Sequence, residues 1–285
     1  MSHDFYRAFE EKFRGSRALV LERLAVYKAF LAPLSDHYSG APALDIGCGR
    51  GEWLELLLEQ GFNAIGVDQD EGMLQSCRDL SLPAQQGDAV AYLSTLPDES
   101  HAVVSAFHVV EHISFDQLRT LVSGALRVLK PGGLLIMETP NPENIIVATR
   151  NFYLDPTHLR PIPPEFLAFL PEYYGFVRTK IMRLQESKEL TGNSKPLLHD
   201  VLAGVSPDYA VVAQKGAKTD TMMLFDEVFE KEHGLTLDTL AARFDIRLQE
   251  AEMKAQGAEE KLKVIYSSQI WRLNSFINKL LRSKG

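Results

Sequence analysis

Residues 43–51 read Ala43-Leu44-Asp45-Ile46-Gly47-Cys48-Gly49-Arg50-Gly51, and WLELLLEQG follows at 53–61. A short apolar run, then glycines, then a helical pattern marks a buried strand turning into a helix. Glycines at that junction let the chain turn tightly and let a ligand approach the main chain. A dinucleotide loop would read GxGxxG and set pyrophosphate on the helix N-terminus. Here the spacing is GxGxG, and Glu52 follows, where it would face a pyrophosphate badly. Asp45, just before the glycines, suits a cationic ligand such as an amine or a sulfonium.

Outward from this loop, short strands alternate with longer helices. NAIGVD (63–68), AQQGDA (84–89), HAVVSAF (101–107) and GGLLIMET (132–139) read as strands or strand ends. EGMLQSCRDL (71–80) and FDQLRTLVSGALRVLK (115–130) read as helices. This rhythm predicts βαβ units. GFVRTKIMRL (175–184) and PDYAVVAQK (207–215) add two strands, expected as an antiparallel pair at the sheet edge, joined by a partly helical connection over 185–206. The expected fold class is α/β: a Rossmann-like, mostly parallel seven-stranded sheet with helices on both faces. A helical lead over 5–38 carries Phe9, Phe13, Leu19, Leu21, Leu24, Tyr27 and Leu31 at steps of three and four, interrupted at Arg14-Gly15-Ser16-Arg17.

The chain has 285 residues, 45% hydrophobic and 24% charged, which is globular composition with room for one sizeable core. Its net charge of −8 argues against coating nucleic acid. Residues 261–285 nevertheless hold six basic side chains and no acidic one, so residues 1–260 sum to −14. Two cysteines, Cys48 and Cys77, suit a reducing compartment. With no apolar leader and no run of 18 apolar residues, the expected location is cytoplasmic. From about 219 the texture changes, dividing the chain into a body (1–218, with the lead at 1–40) and a helical tail (219–285). Phe244, Leu248, Ala251, Ala255, Ala258, Leu262 and Ile265 recur at alternating steps of four and three. That is either a seam joining copies in a coiled coil or a helix packed on its own domain. Ile270, Leu273, Phe276, Ile277, Leu280 and Leu281 then line one face among basic residues. This suits contact of 261–285 with a protein partner or with the cytoplasmic face of an inner membrane.

Two further acids end successive strands. Asp68 comes 17 residues after Gly51, where a carboxylate accepts ribose hydroxyls. Asp88 follows the third strand, where it can accept an adenine amino proton, and Met73 can pack on the adenine. At this point ALDIGCGRG, GVDQD, GDA, FHVVEHI and LKPGGLLIMETPNP resemble the class I S-adenosylmethionine-dependent methyltransferases, over about 43–142. The resemblance implies S-adenosyl-L-methionine (SAM) as cofactor. Asp45, Gly47, Gly49 and Gly51 would shape its methionine end, and Asp68, with Gln69 and Met73 beside it, would hold the ribose. Asp88 and Ala89 would contact the adenine, Phe107 and His108 would stand near the methyl group, and Arg17 would reach the cofactor carboxylate.

Methyl transfer to an alcohol needs alignment, and it needs a base or a metal to take the proton. In His108-Val109-Val110-Glu111-His112, a helix would put residues 108, 111 and 112 on one face. The trio is similar to the Glu/Glu/His cation cluster of ubiquinone O-methyltransferases, with His108 in place of the first acid, so a divalent cation on His108, Glu111 and His112 is one expectation. His112 as base or acceptor contact is another, and a structural role is a third. In Phe152–Pro161, His158 is a candidate base with Asp155 orienting it, and Tyr153 and Arg160 are candidate acceptor contacts. FEEKFRGSRALVLERLAVY, NFYLDPTHLRPIPPEFLAFL and SPDYAVVAQK resemble bacterial methyltransferases of surface-polysaccharide assembly, including those that cap O-antigen chains. The expected activity is therefore O-methylation of a sugar hydroxyl on a glycan. A quinone-type O-methyltransferase, or a SAM-binding scaffold recruiting glycan enzymes, is the alternative.

Overall fold

The computed structural model describes residues 12, 13, 15–192 and 195–282; Phe9 in the lead and Lys284 in the tail lie outside them. Helix α1 (Arg17–Leu24) starts at Ser16, whose hydroxyl accepts the Leu19 N–H, and a 3₁₀ turn at Ala25–Tyr27 leads into α2 (Lys28–His37). The lead is therefore broken, with Gly15 at φ +96° before α1, where the sequence pattern suggested one helix with an interruption. The alternating units follow: β1 (Pro42–Ile46), α3 (Glu52–Glu59), β2 (Asn63–Asp68), α4 (Glu71–Asp79), β3 (Ala84–Gln86), α5 (Ala89–Thr95), β4 (His101–Phe107), α6 (Phe115–Val128) and β5 (Leu129–Pro140). Helix α7 (Pro164–Tyr174), β6 (Arg178–Leu184), α8 (Leu198–Ala203) and β7 (Asp208–Gln214) complete the sheet.

The seven strands lie in the order β3-β2-β1-β4-β5-β7-β6. The first five pair in parallel, and β7 runs antiparallel between β5 and β6. Strand order reverses between β1 and β4, so the crevice beyond their C-terminal ends is where such a sheet takes a ligand. Both faces are covered. On β5, Leu134 and Ile136 enter one core cluster with Tyr27, Phe30 and Trp53, while Leu135 and Met137 enter another with Leu121, Val122 and Val211. This period-two division explains why β5 reads as an unbroken apolar run.

Beyond β7 come α9 (Thr219–Met223), α10 (Asp226–Glu230), α11 (Leu237–Ser267) and α12 (Gln269–Arg282). The segment after residue 218 begins as part of the packed body. Phe225 and Val228 sit in the first core cluster, and Leu235 and Leu240 form a third with Leu190, Val201 and Val205. Among the described residues no helix is long and apolar enough to cross a membrane.

Candidate active site

The loop between β1 and α3 is held in the left-handed region at each glycine: Gly47 at φ +68°, Gly49 at +51° and Gly51 at +80°. At Gly47 a side chain would also run into Val109, and at Gly51 a Cβ would stand 2.7 Å from Leu82 and 2.8 Å from Cys77. The loop is anchored to the next strand, since Asp68 accepts the Gly49 N–H at 2.8 Å on Oδ2 and the Asp70 N–H at 2.8 Å on Oδ1. The Asp68 carboxylate thus ties the glycine turn to the end of β2. Met73 is buried beneath the loop, its Cε 3.5 Å from where a Cβ on Gly49 would lie.

A cavity opens beside this loop, lined by Asp45, Gly47, Cys48, Glu52, Trp53, Phe107, His108 and Glu138, with Val20, Arg23, Leu24 and Gln185 at its side. Asp45 is buried and accepts the Ser105 hydroxyl at 2.9 Å, while the Trp53 indole N–H reaches that hydroxyl at 2.7 Å. Phe107, Trp53 and Tyr27 pack as an aromatic wall, with ring centroids 4.7–5.5 Å apart. Backbone approach at the glycines, carboxylates on the floor and an aromatic wall fit a ligand that carries positive charge. The residues present therefore fit SAM.

At the mouth of β4 the polypeptide turns sharply, with His108 itself left-handed at φ +54°. The stretch His108–His112 is a turn and not a helix, so His108 and His112 do not share a helix face. His108 is inserted between two buried carboxylates, Nδ1 3.3 Å from Glu111 and Nε2 3.5 Å from Glu138. Burial alone would lower the His108 imidazole, but Glu111 and Glu138 raise it well above its usual range. Burial would likewise raise Glu111, yet His108 holds it down to about 2. Tyr27 donates its hydroxyl to Glu138, and burial lifts the neighbouring Asp208 carboxyl to about 6.

His158 takes the place at Glu111 and His112 that the sequence pattern gave to His108. Donor atoms of Glu111, His112 and His158 all lie within 4.8 Å of one another, and His108 groups with Glu138 and Asp208 instead. The His112 and His158 rings pack edge to face with centroids 4.6 Å apart. His158 Nδ1 is 2.6 Å from the Phe152 carbonyl, which can only accept, so Nδ1 carries a proton. His112 Nδ1 lies 2.9 Å from the Thr157 hydroxyl, whose own proton goes to Asp155 Oδ1 at 2.6 Å. His112 Nδ1 must then donate, which in the neutral ring leaves the lone pair on Nε2. Asp155 thus reaches both rings: Oδ1 orients His112 through Thr157, and Oδ2 lies 4.0 Å from Nε2 of His158, the partner the sequence suggests for it. Burial keeps His112 below the usual imidazole range. Glu111 accepts the Thr139 hydroxyl at 2.9 Å on Oε2, while its buried Oε1 makes no hydrogen bond among the described residues. Two imidazoles and a carboxylate in this arrangement can take a proton from a hydroxyl or hold a divalent cation.

Other expected residues fall elsewhere. Arg17 does not line the cavity; it donates to the Arg50 carbonyl at 2.8 Å and pairs with Glu55 at 2.5 Å, clamping α1 to the loop. Arg23, two turns on, faces the cavity in its place, and no sequence motif marks it. Asp88 caps α5, its Oδ1 accepting the Val90 and Ala91 N–H groups at 3.0 Å, with Ala89 buried behind it. Gln69 gives its carbonyl to Gln86 at 3.2 Å. Tyr153 is exposed, and Arg160 lies over the Phe115 ring at 5.4 Å. No sequence motif marks Asp208, and Glu138 is marked only as a lone acid near the end of the apolar run GGLLIMET.

A methyltransferase domain family matches residues 44–137. A probable S-adenosylmethionine-dependent methyltransferase of Mycolicibacterium smegmatis is 33% identical over 145 residues, 50% of this chain and 54% of that protein. A ubiquinone biosynthesis O-methyltransferase of Methylococcus capsulatus is 32% identical over 109 residues, 36% of this chain and 45% of that protein. The chain thus spans about half the length of the curated relatives it matches. A solved SAM-dependent methyltransferase from Archaeoglobus fulgidus superposes with a TM-score of 0.65 at 37% identity, covering 74% of this chain and 100% of that one. Full coverage of that structure, together with a glycine loop, an Asp68 tie and a carboxylate-floored cavity at the switch point, establishes that the chain belongs to the SAM-dependent methyltransferases.

Proposed function

We propose that the chain transfers a methyl group to a hydroxyl oxygen of a sugar acceptor, with His112 as the base. The observation that carries this reading is the Asp155–Thr157–His112 chain, which fixes the tautomer and leaves Nε2 unprotonated beside Glu111 and His158. When bound, SAM supplies an electrophilic methyl on a sulfonium. Asp45 and Glu138 favour that positive charge, and Phe107 packs at the end of β4. His112 Nε2 takes the hydroxyl proton as oxygen attacks, and Glu111 stabilises the imidazolium that results. The sugar acceptor is supported by position, because the stretch resembling surface-polysaccharide methyltransferases is the one that delivers Phe152, Asp155, Thr157 and His158 to the site.

A divalent cation seated on Glu111, His112 and His158 is a second way to acidify the hydroxyl, favoured by the close approach of their donor atoms. A quinol acceptor is favoured by the ubiquinone O-methyltransferase matches. The deciding assay is transfer of label from SAM to glycans, sugar nucleotides and quinols, with and without EDTA. Label in a glycan, undiminished by EDTA, is the expected result. Label only in quinols, or loss of activity on chelation, would replace the acceptor or the base, respectively.

A further inference from the structure

Helix α11 is bound to the body only over its first turns. Leu240 and Phe244 pack in the third cluster, Arg243 donates to the Leu190 and Gly192 carbonyls, Arg247 donates to those of Lys195 and Pro196, and Lys195 pairs with Glu250. From Ala251 to Ser267 every side chain is exposed. Phe244 is thereby removed from the seam read in the sequence. Leu248, Ala251, Ala255, Ala258, Leu262 and Ile265 remain, at steps of three and four, with Leu248, Leu262 and Ile265 each nearly half exposed. An isolated helix with an exposed apolar stripe is unfavourable in water, and a stripe with this period is covered best by another helix.

The charges beside the stripe say which helix. Before each first seam position of a heptad stands a base: Arg247 before Leu248, Lys254 before Ala255 and Lys261 before Leu262. After the second seam positions Ala251 and Ala258 stand acids, Glu252 and Glu259, with Tyr266 after Ile265. Among the described residues Glu252, Lys254, Glu259 and Lys261 form no ion pair. In a parallel two-stranded coil the residue before the first seam position faces, in the other helix, the residue after the second position of the same pair, five residues on. Lys254 then meets the partner's Glu259, twice by symmetry, while Arg247 stays with the Lys195 and Pro196 carbonyls of its own body. An antiparallel pair would set lysine against lysine and glutamate against glutamate.

We infer that residues 248–265 form a parallel, in-register coiled coil with a second copy of this chain. The orientation puts both copies of α12, each exposing Ile270, Leu273 and Phe276, at the same end of the pair. With alanine at Ala251, Ala255 and Ala258 the seam is narrow, so the dimer dissociates on dilution. The test is sedimentation of the full chain over about 1–300 µM, together with oxidative crosslinking of Ala251→Cys. Parallel pairing places the two introduced thiols opposite each other, whereas Cys48 and Cys77 are buried and leave the parent chain as an uncrosslinked control. Lys254→Glu should weaken the dimer about tenfold, and adding Glu259→Lys should restore it. Circular dichroism of each variant confirms that the helix is intact. A single-chain mass at every concentration, absence of the Ala251→Cys crosslink, or a Lys254→Glu dimer as tight as the parent would overturn the inference.

Discussion

Asp68→Asn removes one charge and almost no volume, so its effect isolates the carboxylate. In the native loop both oxygens accept backbone N–H groups at 2.8 Å, from Gly49 and from Asp70. An amide offers one oxygen, so one of these N–H groups must face an NH₂ donor. Losing a hydrogen bond to a charged acceptor costs about 1.5–3 kcal/mol. Because 1.4 kcal/mol is a factor of ten, and ordering of the Gly49 turn is needed for the ligand to bind, SAM should bind roughly 10–150-fold more weakly. The thermal midpoint should fall by roughly 3–5 °C on the same energy. Calorimetric titration of SAM into the variant tests this without an acceptor. Asp98→Asn is the control, since Asp98 pairs with Arg127 on an exposed surface away from the cavity. If Asp68→Asn binds SAM within twofold of the parent, the carboxylate neither orders the loop nor holds the ribose.

Thr157→Val keeps the shape and breaks the Asp155–Thr157–His112 chain, so kcat should fall roughly 10–100-fold while SAM affinity holds; rapid-quench turnover and titration check the two halves. Burial lowers the His112 pKa, so the base stays neutral to below pH 6.5. The acid limb of kcat should therefore lie below that value, with activity lost as pH falls and His112 gains its proton; a pH–rate profile with a limb at or above 7 contradicts this. Gly47→Ala meets a left-handed φ of +68° and the Val109 side chain, and should cost about 2–4 kcal/mol in urea unfolding.

The sheet was legible because each of its strands carries a local signature. Alternate residues of β5 feed opposite core clusters, and this leaves the unbroken apolar run that marks a strand covered on both sides. The cofactor loop was legible for a similar reason, since left-handed backbone demands glycine and glycines are visible in a sequence. The catalytic cluster was only half legible. His108–His112 has the spacing of a helix face, but His108 adopts φ +54° and the chain turns, sending His108 toward Glu138 and leaving His112 for His158. Nothing in five residues records that choice, because it is made by Glu138 and Asp208, which arrive from β5 and β7. Arg23 is hidden in the same way. It stands on a short helix among other charges, and only the docking of α1 on the loop turns it toward the cavity.

His108→Gln is the change that separates the two histidine environments. The imidazolium answers Glu111 at 3.3 Å and Glu138 at 3.5 Å, and both acids are buried. A neutral amide can donate to one of them but supplies no charge. Removing one partner from a buried charge network costs about 3–5 kcal/mol. His108 is partly open to solvent, and either acid can recover by taking a proton, so about 2–3 kcal/mol is expected here. The sign in pH follows from the raised His108 pKa. The stabilisation is complete below the unfolded value of about 6.5 and is lost as pH rises through the folded value. The gap in stability between parent and His108→Gln, measured by urea unfolding, should therefore be widest in mild acid and narrow in alkali. A gap that widens with pH would mean that His108 is neutral in the folded protein. The fourth strand would then end on a hydrogen-bonding group with no positive charge, and Glu111 would be free to answer a cation held with His112 and His158.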